Sequence, residues 1–144
     1  MARAQWRALD ISAGLPQVYS ATSEQFVAQM LNLDCINAIS FTKGCYTGQE
    51  VIARAHYRGR VKRRLQRFIS AGALALPPAS SWRLSDGRRA QIVQALPTSD
   101  QRMEFLAVAP LPSEAGATED EAGAGTSEAG RLDCTSLPLP YALP

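Results

Sequence analysis

The chain has 144 residues, of which 46% are hydrophobic and 19% are charged, and its formal net charge at pH 7 is +2. These values are typical of one ordinary globular domain or two small ones, and they exclude a low-complexity or highly charged chain. No apolar run approaches the length of about 18 residues that a membrane helix needs, and residues 1–7 lead into no apolar signal region. We therefore expect a cytoplasmic protein with no membrane partner.

Cysteine and histidine content limits the metal and redox chemistry that the chain can carry. Its three cysteines form no C-x-x-C pair, and one stays unpaired in any disulfide scheme, so free thiols are expected and a cysteine-built zinc site is not. The single histidine, His56, argues against a histidine-rich metal site. It follows Cys45 by about three helical turns, which favours a solvated position or a helix-end role over that of a base for the thiol.

The first thirty residues predict a short helix followed by a second helix or turn. Trp6 and Leu9 are spaced like one face of a helix, and Gly14 is placed to end that helix. Thr22 begins a capping-box pattern, which predicts the second helix or turn over residues 23–31.

The sequence KGCYTGQE brings a cation, a thiol, two glycines and a helix start together. Gly44 and Gly48 allow positive φ angles and a close approach to a ligand, and residues 49–56 contain good helix formers with no breaker. Cys45 is therefore predicted to lie just before a helix N-terminus, where the helix dipole and Lys43 would favour the thiolate. From local chemistry alone, a small buried hydrophobe is the alternative for this cysteine.

Seven basic residues and no acidic one lie from Arg54 to Arg67. Such a run is half of a nucleic-acid footprint, but Tyr57 is the only aromatic residue interleaved with the charges. Three interpretations stay open, in order of preference: a solvated helix end and strand face, a site for an anionic small ligand such as a polyglutamate tail, and an RNA-binding surface.

From Val61 onward the apolar periodicity changes from helical to alternating. Alternating patterns on both sides of an Asp86-Gly87 turn predict a hairpin, and another strand follows the turn at residues 97–100. Short strands separated by turns predict a small antiparallel barrel or sandwich. Residues 112–130, rich in small and acidic side chains, predict a flexible insertion.

Residues 43–50 resemble the K-G-C-Y-x-G-Q-E signature of the YgfZ-type folate-binding proteins, relatives of the glycine cleavage T-protein that are implicated in iron–sulfur cluster assembly or repair. The similarity covers residues 5–68. It implies an α+β fold in which residues 1–60 are the C-terminal part of the T-protein-like folate-binding domain and residues 61–144 a small antiparallel β-barrel domain. Because family members carry a large region before the stretch that matches Trp6, the chain resembles the C-terminal portion of a longer protein.

The resemblance also implies which residues act. It makes Cys45 the functional thiol and tetrahydrofolate the cofactor, and it implies no metal ligand. The residues that would build the site around the thiol and the folate are Lys43, Gly44, Tyr46, Gly48, Gln49, Glu50 and Arg58.

The function that the resemblance implies is that of a folate-binding accessory protein for iron–sulfur cluster assembly or repair, supporting cluster enzymes that include those of tRNA modification. Its partners would be the assembly machinery or client iron–sulfur enzymes, with no direct contact to nucleic acid. The alternatives are a folate-dependent aminomethyltransferase like the T-protein and a truncated, non-catalytic interaction module. An assembly factor is favoured over a free-standing enzyme, because T-protein catalysis does not use such a cysteine.

Overall fold

The computed structural model describes residues 2–57, 59–114 and 128–144. Within them, short 3₁₀ turns lie at Ser20–Thr22, Ala28–Leu31 and Pro112–Glu114. The fold is α+β, as predicted. Its helices are α1 (Arg3–Ser12) and α2 (Gln49–Tyr57), and its strands are β1 (Arg63–Ser70), β2 (Ser81–Leu84), β3 (Arg89–Pro97), β4 (Met103–Pro110), β5 (Glu128–Leu132) and β6 (Cys134–Leu137).

The N-terminal segment contains the first helix predicted there. Helix α1 ends at Ser12, and Gly14 two residues later has a φ of +67°, the left-handed conformation expected of a helix-stop glycine. Of the helix or turn predicted over residues 23–31, the structure has turns: Glu24 has a φ of +61° that a right-handed helix excludes, and Ala28–Leu31 forms a 3₁₀ turn. Thr22 instead closes a tight turn, in which its hydroxyl accepts a hydrogen bond from the Tyr19 amide at 2.9 Å.

The six strands form one curled sheet in the order β5-β2-β3-β4-β1-β6. From β2 through β3 and β4 to β1 each pair is antiparallel, so β2 and β1 run in opposite directions. β5 and β6 follow each other with Asp133 alone between them, yet they pair with opposite edges of the sheet. The two edge strands, β2 and β1, run in opposite directions, so the continuous segment β5–β6 is parallel to one of them and antiparallel to the other. It is parallel to β2, through β5, and antiparallel to β1, through β6. The prediction of a purely antiparallel barrel is corrected accordingly.

The sheet is buried on both faces. Along β4, Phe105, Ala107 and Ala109 belong to the apolar cluster of one face, and Leu106 and Val108 belong to that of the other, as the two-residue period of a strand requires. Residues from the N-terminal segment, Ile11 and Leu31, complete the second cluster. The N-terminal segment is therefore packed directly on the sheet.

The predicted acidic insertion was too wide. Pro112–Glu114 forms a 3₁₀ turn, and residues 128–130 belong to β5. Residues 115–127 lie outside the part of the chain that the structure describes. Among the described residues, no helix is long and apolar enough to cross a membrane.

Candidate functional site

Residues 40–48, here called the signature loop, fold around the side chain of Ser40. The Ser40 hydroxyl accepts hydrogen bonds from the amides of Thr42 and Lys43 at 3.4 and 3.1 Å, and the Ser40 carbonyl accepts one from the Tyr46 hydroxyl at 3.0 Å. The Lys43 ammonium lies over the Tyr46 ring, 4.6 Å from its centroid, at the range of a cation–π contact. These contacts bring Lys43 and Tyr46 together on either side of Cys45.

Cys45 is exposed at the tip of the signature loop. Helix α2 starts at Gln49, as predicted, with Tyr46, Thr47 and Gly48 between the thiol and the helix. Both glycines of the signature loop lie in open surroundings, because a Cβ atom added at Gly44 or Gly48 would meet no atom within 4 Å. Positive φ occurs at Gly48, with +82°, and not at Gly44.

The other predicted site residues lie on α2 or beyond it. Gln49 and Glu50 form the first turn of α2, where Glu50 makes an exposed ion pair with Arg54 at 3.5 Å. Arg58 lies outside the described residues.

An aromatic cluster joins the start of the signature loop to the end of α2. The rings of Phe41 and His56 are stacked, with centroids 3.9 Å apart and planes 20° apart. Tyr57 meets both rings edge-on, at 4.6 Å from His56 and 6.4 Å from Phe41. His56 is exposed at the helix end, as expected, but its ring has a partner that sequence reasoning missed.

Helix α2 is tied to the sheet through Gln29, a second residue that sequence reasoning missed. The Gln29 side-chain amide, which is 1% exposed, donates to the Ile52 carbonyl at 2.7 Å. Its Oε1 atom is buried and accepts no hydrogen bond in the described residues. No sequence pattern marks Gln29, because its role depends on the apposition of two segments that are distant in the chain.

Arg64 at the start of β1 anchors the turn that carries Gln29. Its guanidinium forms a two-bond fork with the Asp34 carboxylate, both bonds 2.9 Å long, and donates to the Gln29 carbonyl at 3.0 Å. Burial opposes ionisation of Asp34, but the hydrogen bonds and charge of Arg64 outweigh it and hold the pKa of Asp34 below its ordinary value. Arg64 is therefore a buried structural cation.

The other two thiols differ from Cys45 in their surroundings. Burial, together with the charge of Asp34, raises the pKa of the Cys35 thiol. Burial also raises the pKa of Cys134, which begins β6. Of the three cysteines, Cys45 alone is exposed.

The basic run is mostly engaged with acidic side chains. Four of its members form ion pairs: Arg54, Arg60, Arg64 and Arg67. The preferred interpretation, a solvated face, is wrong for Arg64, which is 4% exposed. Cations already paired with carboxylates are poorly placed to bind phosphates, and this weakens the RNA interpretation.

A small cavity of about 70 Å³ lies at one end of the curled sheet, away from the signature loop. Its lining includes Phe68, Ser85, Arg88 and Cys134, and no residue of the signature loop. Among the described residues, no group of three or more histidine, cysteine or acidic side chains is placed to hold a metal ion.

In a comparison with known proteins, the relatives named below all carry the same name. The chain is 45% identical over 109 residues to the tRNA-modifying protein YgfZ of Yersinia pestis (strain Pestoides F), and equally so to that of Yersinia pseudotuberculosis serotype O:1b (strain IP 31758). It is 43% identical over 110 residues to the protein of the same name from Yersinia enterocolitica serotype O:8 / biotype 1B (strain NCTC 13174 / 8081). No family model matches the chain.

Each of these alignments covers 72% of this chain and 33% of the relative. The chain thus spans about a third of the length of the curated relatives that it matches. The identity and the ungapped eight-residue signature together make the chain a member of the YgfZ-type family that corresponds to part of the full-length protein.

Proposed function

We propose that this chain carries the thiol of an accessory protein that supports tRNA-modifying iron–sulfur enzymes during cluster assembly or repair. The observation that supports this proposal is the exposure of Cys45 in the signature loop, where it lies in the sequence between Lys43 and Tyr46, whose side chains contact each other. A thiol that acts on another protein or a cluster must be approachable, whereas a packing cysteine is buried. The relatives are named tRNA-modifying proteins, which fits the proposed pathway.

The proposed partners are the assembly machinery or the client enzymes, in preference to tRNA itself. Ion pairs neutralise four of the seven basic residues that would contact phosphates. Binding to RNA through phosphates needs several unpaired cations. A role in tRNA modification that acts through a client enzyme needs none of them.

Tetrahydrofolate enters the proposal only through the family resemblance. Pockets for ligands of this size enclose about 300–1,000 Å³, and the signature residues present here lie on an open surface with no residue of α2 buried. The described residues therefore do not fit a complete folate site, and no step of the proposal passes through folate. The assignment of residues 1–60 to a T-protein-like domain and of residues 61–144 to a barrel domain is proposed on the same resemblance.

The proposal is tested by replacing each cysteine in a strain that depends on the chain's own gene. Cys45→Ser should lower the thiomethylated fraction of tRNA, measured by mass spectrometry, to the level of the gene deletion. Cys35→Ser and Cys134→Ser are matched controls that should keep at least most of the modification. Full modification with Cys45→Ser would refute the proposed role of the thiol.

A stability measurement separates loss of function from loss of fold. Replacing one atom of an exposed loop side chain changes the free energy of unfolding by about 0.5 kcal/mol or less. Purified Cys45→Ser should therefore unfold at nearly the same urea concentration as the parent chain. A large shift would mean that Cys45 is a packing residue after all.

A further inference from the structure

The signature loop and α2 have few attachments to the rest of the molecule. None of residues 42–57 is buried. The hydrogen bonds that shape the loop end on Ser40, which is itself part of the loop. Helix α2 is held by the bond from Gln29 to the Ile52 carbonyl. Such a sparsely attached segment depends strongly on each contact that it does make.

The contact between Phe41 and His56 spans this segment from end to end. Phe41 lies at the start of the signature loop, and His56 lies in the last turn of α2. Their stacked rings close the chain between them into one loop that contains Cys45 and α2 up to His56. Backbone hydrogen bonds join the signature loop to the start of α2, from the Gln49 amide to the Tyr46 carbonyl at 3.2 Å and from the Ile52 amide to the Gly48 carbonyl at 3.3 Å. Without the stack, the start of the signature loop would lose its contact with the end of α2.

We propose that His56 is a positioning residue for Cys45, which it serves by stacking on Phe41 and holding the signature loop against α2. This inference rests on the proposed function, because it assigns His56 to the presentation of the working thiol. His56 is not placed as a base for Cys45, since its ring packs between Phe41 and Tyr57, stacked on the first and nearly perpendicular to the second. His56 therefore acts through the packing of its ring face, and another aromatic side chain could take its place.

The strength of an aromatic stack sets the expected effect. An aromatic pair stabilises its contact by about 0.5–1.5 kcal/mol. Losing the pair should therefore lower the ratio of the ordered to the displaced conformation of the signature loop by about two- to twelvefold. A change of this size is visible in the motion of a label on the loop. It is too small to unfold the chain.

The test places a nitroxide spin label on Cys45 of the full 144-residue chain, in a background with Cys35→Ala and Cys134→Ala whose fold is verified by circular dichroism. His56→Ala should increase the mobile component of the electron paramagnetic resonance spectrum relative to the ordered one by about two- to twelvefold. His56→Phe should restore the ordered spectrum. Arg54→Ala, an exposed change on the same helix that leaves the stack intact, is the matched control and should resemble the parent.

Phe41→Leu distinguishes loss of the stack from loss of the helix, because it leaves the sequence of α2 unchanged. It should give the same mobile spectrum as His56→Ala. The inference is overturned if His56→Ala or Phe41→Leu leaves the label as ordered as in the parent, or if His56→Phe is as mobile as His56→Ala.

The same variants separate this inference from the proposed function. In cells, His56→Ala should lower tRNA thiomethylation and His56→Phe should restore it, if Cys45 is the working thiol. If Cys45→Ser has no effect on modification, the proposed function fails. The spectra of the spin-labelled chain would still report whether His56 positions the loop.

Discussion

At the scale of single residues, the position of the thiol depends on a cation outside the signature. Arg64 binds Asp34 through two hydrogen bonds and the Gln29 carbonyl through a third. The side chain of Gln29 in turn holds α2, which follows the signature loop. Removing the Asp34 carboxylate would leave a guanidinium that is 5% exposed without its counter-ion, and an uncompensated buried charge is costly.

Asp34→Asn should lower the free energy of unfolding at pH 7 by about 3 kcal/mol. This value lies at the low end of the range for breaking a buried ion pair, because the Asp34 side chain keeps 18% exposure and water can reach it. Urea denaturation followed by circular dichroism measures the change. Glu50→Gln, which breaks an exposed ion pair, is the matched control and should have little effect.

The same pair should make stability depend on pH in a defined direction. The pKa of Asp34 is lower in the folded chain than its ordinary value of 3.8. The contribution of the pair is therefore complete above that value and is lost as the pH falls through the lower folded pKa. The stability difference between the parent and Asp34→Asn should shrink as the pH falls below about 4. A difference that stays constant as the chain is acidified would contradict the ion-pair assignment.

At the scale of elements, local sequence signals predicted both helices and the hairpin turn but did not fix the conformation of residues 20–31. Helices α1 and α2 carry their own patterns, and the β2–β3 turn carries a glycine with a φ of +88°. Between the helices, Glu24, Asn32 and Asn37 all adopt positive φ. Asparagine tolerates this conformation locally, but at Glu24 it is held by the surrounding structure, so that turn could not be derived from propensity.

The candidate site also has a part that could be predicted from the sequence and a part that could not. The exposed thiol loop and the following helix could be predicted, because glycines and helix formers act locally. The buried contacts that hold them, from Gln29 and Arg64, arise only when β1 meets the Ala28–Leu31 turn. Sequence spacing alone contains no information about that meeting.

Gln29→Met should separate the attachment of α2 from global stability. The change removes a hydrogen bond worth about 1 kcal/mol, but it also removes the unpaired Oε1 atom, whose burial costs about 1–3 kcal/mol. The two effects are of opposite sign, so the free energy of unfolding should not fall and should rise by about 2 kcal/mol at most. Amide hydrogens of α2 should nevertheless exchange several times faster in hydrogen-exchange mass spectrometry.

The matched control for this prediction is Gln25→Met, which changes an exposed glutamine nearby. It should alter neither quantity. Unchanged exchange in α2 of the Gln29→Met variant would show that the bond to Ile52 does not hold the helix.

At the scale of the whole molecule, the curled sheet accounts for most of the core and leaves one apolar surface uncovered. Phe26 and Met30 pack against the cluster that contains Ile11 and Leu31. Trp6 and Leu9 are 61% and 52% exposed on the outward side of α1. Neighbouring exposed apolar side chains of this size mark an interface or a site of self-association. The alignment covers 33% of each curated relative, so in them a further part of the protein is available to cover this surface.

The isolated chain should therefore self-associate through α1. Sedimentation velocity over a hundredfold range of protein concentration should show the average mass rising with concentration for the parent chain. Trp6→Gln combined with Leu9→Gln should shift the distribution toward monomer, because glutamine keeps the helical propensity while removing the apolar surface. Val51→Gln, an equivalent change at a residue of α2 that is 55% exposed, should leave the association unchanged. A parent chain that stays monomeric throughout would show that Trp6 and Leu9 form no association surface, and equal effects of the α1 and α2 variants would assign the association to general hydrophobicity.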